Sequence, residues 1–124
     1  MEGNFAIELL SWSMDRALAS HSVSRINVAN SNVEGFSPIT ISFEQQLQSL
    51  RGASEIGSIE IQFGSIRQSM DQMMENNTSR LNGEVVQVDS EVTSMVKHSG
   101  YYQTLADIMS RKMGLMKLAI SSKG

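Results

Sequence analysis

Apolar residues recur at alternating steps of three and four along both ends of the chain, and that spacing predicts two long helices. From Asn4 to Asn30 one row runs Ile7, Leu10, Met14, Ala17, His21, Ser24 and Val28. A second runs Phe5, Leu9, Trp12, Arg16, Ala19, Val23, Ile26 and Asn30. At about 100° per residue the two rows lie on nearly opposite sides, so this helix is apolar on two faces. From Asp89 to Ile120 the row Val88, Val92, Met95, Ser99, Tyr102, Ala106, Met109, Met113, Met116 and Ile120 keeps the same steps and is apolar except at Ser99. That is the heptad seam of a coiled coil. A second row, Tyr101, Leu105, Ile108, Lys112, Leu115 and Ala119, accompanies it. Asp89 is placed as N-cap, with Glu91 in the first turn and Arg111, Lys112, Lys117 and Lys123 toward the other end, as the helix dipole favours. Gly100, inside this helix, costs about 1 kcal/mol against alanine.

The pattern between the helices is different. "ITISFEQQLQSL" begins with Ile39, Ile41 and Phe43 in alternation, then shifts to helical spacing at Phe43, Leu47 and Leu50. "RGASEIGS" reads as a loop. "IEIQF" alternates at Ile59, Ile61 and Phe63 and predicts a short half-buried strand. Met70 to Met74 predicts a helical turn running into a polar linker that ends at the turn dipeptide Asn82-Gly83. The expected fold is mainly α: long N- and C-terminal helices paired as a coiled-coil-like hairpin, with a short, irregular and partly β middle. Its three parts are residues 1–36, 37–83 and 84–124.

A stripe on each side of a helix needs a partner on each side. The middle segment, rich in Gly, Ser, Asn and Gln, offers little apolar surface for the second stripes. The expectation is that neighbouring molecules cover them and that the termini become ordered by assembly.

Composition narrows the function classes. Ten Lys+Arg against thirteen Asp+Glu give a net charge of -3, which argues against a nucleic-acid partner. There is no cysteine, hence no disulfide framework, thiolate metal site or Cys nucleophile. The start "MEGNFAIELLSW" lacks the basic region and apolar core of a cleaved secretory signal.

The segment "NVANSNVEGFSP", Asn27 to Pro38, leaves the first helix with three asparagines, a glycine and the only proline. It resembles the N-x-A-N-x-x-T-P-G-Y/F signature of the bacterial flagellar rod and hook proteins, with Asn27, Ala29, Asn30, Gly35 and Phe36 at matching positions and Val33-Glu34 in place of the usual Thr-Pro. "ITISFEQQL" resembles the family's following stretch. "NGEVVQVDSEVTSMVKHSGYYQTLADIMSRKMGLMKLAI" is similar to the ending of its proximal rod members, with Gly83, Val86, Val88 and Asp89 before the helix at a different spacing, and Tyr102, Lys112, Leu115, Met116, Ala119 and Ile120 in its closing half. The resemblance covers the two ends, about seventy residues.

It implies a non-enzymatic subunit of the periplasmic rod of the flagellar basal body, made in the cytoplasm and exported without a cleaved signal. The implied partners are copies of itself, other rod proteins, the rod-base adaptor, the membrane-ring protein and the type III export apparatus, with no small-molecule substrate and no cofactor. From the apolar rows, the residues expected to pack or assemble are Ile7, Leu10, Trp12, Met14, Val92, Met95, Tyr102, Leu105, Ile108, Met109, Met113, Leu115, Met116 and Ile120.

Other readings weigh less. His21 and His98 have no second His or Cys at ligand spacing, so neither is expected to bind metal or act in catalysis. Met109, Met113 and Met116 read as adaptable packing residues. Peptidoglycan cleavage would need a placed carboxylate pair, and Glu44, Glu55 and Glu60 lie in a sparse segment without a pocket-building scaffold. The basic end of the second helix fits a membrane surface less well than a protein seam, because the seam runs its whole length. A soluble adaptor forming a closed coiled-coil oligomer is the remaining alternative.

Overall fold

The computed structural model describes residues 2–52 and 56–123. Its elements are α1 (Glu2–Ala29), β1 (Ile39–Ile41), α2 (Glu44–Arg51), α3 (Ile56–Ile66), α4 (Met70–Asn77), β2 (Thr78–Arg80) and α5 (Val88–Lys123). The two long helices pack against each other antiparallel: the end of α1 meets the start of α5 at Asn27 and Glu91, and Ser13 and Ala17 share a cleft with Tyr101 and Leu105. The fold is therefore the expected helical hairpin with a short two-stranded middle. Asp89 lies within the first turn of α5 rather than at its cap, since the helix begins one residue earlier.

The main buried cluster is not between the long helices. Trp12 and Ala19 of α1 meet Phe43, Phe63 and Met73 of the middle segment, with Phe5, Leu9, Ile41, Leu50, Ile66, Met70 and Met74 packed around them. Three aromatic pairs fix its geometry edge to face: Phe5–Phe63 at 5.4 Å, Trp12–Phe63 at 5.6 Å and Trp12–Phe43 at 6.5 Å between centroids. Such contacts add about 0.5–1.5 kcal/mol each beyond the area buried. The middle segment thus covers the second face of α1, and the expectation that only neighbours could do so is corrected for this helix. Three large side chains suffice because they converge on one row, Phe5, Leu9, Trp12 and Ala19.

The strand expected at Ile59 to Phe63 is a helix. Ile59, Phe63 and Ile66 also satisfy a four-then-three step, and burying Phe63 between Phe5 and Trp12 selects that step over alternation. Ile61, the centre of the alternating reading, is 75% exposed. The loop expected at 51–58 is correspondingly shorter: α2 ends at Arg51 and α3 starts at Ile56, with Glu55 and its two preceding residues outside those described. Met70 does begin a helix. Ser69 caps it with a full capping box, its hydroxyl accepting from the Gln72 N–H while Gln72 Oε1 accepts from the Ser69 N–H.

β1 and β2 pair antiparallel with Ile39 opposite Arg80 and Ile41 opposite Thr78. Bonds from Leu81 N–H to the Pro38 carbonyl and from Ser42 N–H to the Asn77 carbonyl extend the pairing at either end. This ribbon ties the segment after α1 to the segment before α5.

Candidate assembly surface and the exit from α1

Asn27 is wholly buried and joins three elements. Its Nδ2 donates to the Ile39 carbonyl at 2.8 Å and to Glu91 Oε2 at 3.0 Å, while the Ile39 N–H donates to its Oδ1 at 2.8 Å. The side-chain amide stands in for a strand backbone beside β1 and spends its remaining N–H on α5. Asn30 closes the helix end, giving the Ile26 carbonyl both its backbone N–H at 3.1 Å and its Nδ2 at 2.8 Å. Gly35 follows at φ 81°, a left-handed conformation that favours glycine. Phe36 lies under the Arg80 guanidinium, 5.1 Å from its ring, and Arg80 also donates to the Ser37 carbonyl at 2.9 Å. Ala29 is exposed and makes no such link. Of the five motif positions, four have a definite local task.

The expected packing residues divide. Trp12 belongs to the internal core, and Ile7, Leu10 and Met14 are half-buried. On α5 the half-buried positions are Glu91, Met95, His98, Tyr102, Leu105, Met109, Lys112 and Met116, a strict four-three spacing, with Ser94, Ser99 and Ala106 beside them. The seam is thereby corrected by one position: it keeps the column Met95, Tyr102, Met109 and Met116 but pairs it with Glu91, His98, Leu105 and Lys112. Val92 and Met113 turn outward and are exposed. The Asn27–Glu91 bond lies at the first turn of this shifted seam. Opposite this column α1 presents Ser13, Ala17, Ser20 and Ser24, small enough for close approach.

Polar groups inside this seam leave a cleft of about 470 Å³ between the helices, bounded by Arg16, His98 and Tyr101. Arg16 lies over the rings of Phe43, at 4.8 Å, and Trp12, at 5.9 Å. Burial lowers the pKa of His98, and the positive charges of Lys97, Arg16 and His21 push it the same way. Among the described residues no group of three or more His, Cys, Asp or Glu side chains is placed to hold a metal ion. Glu44 is occupied by a surface ion pair with Arg51 at 3.7 Å, Glu60 lies on α3, and Glu55 falls outside the described residues.

Beyond the clamp, α5 is covered on one side only. Among the described residues it contributes nothing to the buried core, and α1 is the one element it packs against extensively. Val88, Val92 and Val96 are exposed near its start, and Ile108, Met113, Leu115, Leu118 and Ile120 near its end, with Leu115 at 68% and Ile120 at 72%. Among the described residues no helix is long and apolar enough to cross a membrane. No family model, curated protein or solved structure matches the chain.

Proposed function

We propose that the chain is a structural, non-enzymatic subunit of the bacterial flagellar rod, most like the proximal rod protein FlgB, that assembles helically through its terminal helices. The observation that carries this reading is the one-sided covering of α5: a helix of 36 residues offers large apolar side chains outward at both ends, as a building block completed by its neighbours would. The Asn27 clamp supports it from the other end of the hairpin, since the residues that carry the family resemblance are those that set the exit from α1. In this role the chain would meet copies of itself, other rod proteins, the rod-base adaptor and the membrane ring, after passage through the type III export apparatus into the periplasm.

Imaging purified flagellar basal bodies from the source cell tests the reading. The expected result is density for this chain in the proximal rod, and loss of motility when its gene is deleted. Basal bodies complete without it, together with a closed dimer of the purified chain in light scattering, would instead establish the coiled-coil adaptor.

A further inference from the structure

The two exposed ends of α5 carry opposite charge. At its end Ile108, Leu115 and Ala119 form an apolar strip flanked by Arg111 and Lys112, with Met116 closing a groove of about 420 Å³. No Asp or Glu occurs from Ile108 to Lys123. The adjacent Asp107 pairs with Arg111 at 3.1 Å, but both side chains are largely exposed, and such a surface pair is readily exchanged. At its start Val88, Val92 and Val96 follow one another at steps of four on an exposed edge, preceded by exposed Val85. Glu84 and Asp89 flank that edge, and no Lys or Arg lies between Leu81 and Val96.

We infer that α5 joins one copy of the chain to the next head to tail, the acidic valine edge of one copy seated in the basic apolar groove of another. This rests on the reading that copies of the chain assemble. A two-fold pairing of groove with groove would set Arg111 and Lys112 against themselves, and edge with edge would oppose acids to acids; like-charge juxtaposition of that kind is disfavoured. Joining edge to groove matches both charge and apolar surface. Each copy carries one edge and one groove at opposite ends of a single helix, so the contact is heterologous and, with a rotation between copies that does not close, propagates. An anionic membrane would satisfy the groove and leave the valine edge with its acids unused. Seating Val92 opposite Leu115 sets successive copies about 35 Å apart along the helix direction, at about 1.5 Å per residue.

Sedimentation velocity of the full chain at low salt tests the contact. Wild type is expected to form a concentration-dependent series of masses that shrinks with added salt. R111E/K112E and E84K/D89K are each expected to associate at least about tenfold more weakly alone, while an equal mixture regains wild-type association because each then offers what the other lacks. The neutral pair R111Q/K112Q, with helix content checked by circular dichroism, should associate weakly and lose salt dependence. A monomeric wild type, reversal variants that assemble unaided, a mixture that stays apart, or a groove whose only measurable ligand is a vesicle of anionic lipid would each overturn the contact. Charge variants that assemble normally while the chain is seen in the rod sink this inference alone. Charge-dependent association of a chain absent from the rod sinks the functional reading alone.

Discussion

A single buried amide decides how the three parts of the molecule meet. Asn27 satisfies both the N–H and the carbonyl of Ile39 and still reaches Glu91; no other side chain of that length offers a donor pair and an acceptor together. Asn27→Ala leaves those partners unmatched, and urea unfolding should show a loss of about 1–3 kcal/mol. Asn27→Asp should cost more, because it removes the donors and sets a carboxylate beside that of Glu91. An Asp variant as stable as wild type would remove the clamp from the account. Two glycines offer opposite signs. Gly35, at φ 81°, has open space where a Cβ would lie, so Gly35→Ala should cost about 1–2 kcal/mol from the backbone alone. Gly100 also has open space but is helical, so Gly100→Ala should gain about 1 kcal/mol. Thermal unfolding of the two variants in parallel checks the contrast.

The contact between α1 and α5 should weaken in acid, because its seam holds a half-buried histidine. His98 has a lowered pKa in the folded chain through burial first and then through Lys97, Arg16 and His21, while Glu91, the acidic group on the same seam, is engaged by Asn27. The unfolded chain therefore binds the extra proton first. Stability is full above the ordinary imidazole range, near about 6.5, and falls as pH drops through it toward the folded value. Urea midpoints measured from about pH 8 to about pH 5 should decline over that interval, and less so in His98→Gln. An unchanged slope in that variant would assign the pH effect elsewhere. How legible each element is in the sequence follows from what fixes it. The long helices and α2 are readable because their apolar steps are decided locally. The helix at Ile56–Ile66 is not, since Ile59, Ile61 and Phe63 fit two periods and only the distant Phe5 and Trp12 choose between them. The polar strand Thr78–Arg80 has no alternation to read, whereas the Ser69-x-x-Gln72 capping box was available as a signal for α4. The shifted seam of α5 sets Glu91 against Asn27, 64 residues away, a pairing that no local pattern contains.

Taken whole, the molecule has a well-buried body and a long helix held along one side. Hydrogen exchange should separate them: amides around Trp12, Phe63 and Met73 should be the slowest, and those of the outer half of α5, beyond Leu105, among the fastest helical amides in the dilute chain. Equal protection along α5 would mean that its exposed face needs no further cover. The order of the parts along the chain adds something else. Every residue of the buried cluster, from Trp12 to Met73, precedes Leu81. A chain delivered N-terminus first, whether from a ribosome or through a narrow conduit, can therefore complete its hydrophobic body while α5 is still confined behind it. The last segment to emerge is then the one whose apolar side chains stay exposed, so the body is buried before that face is presented.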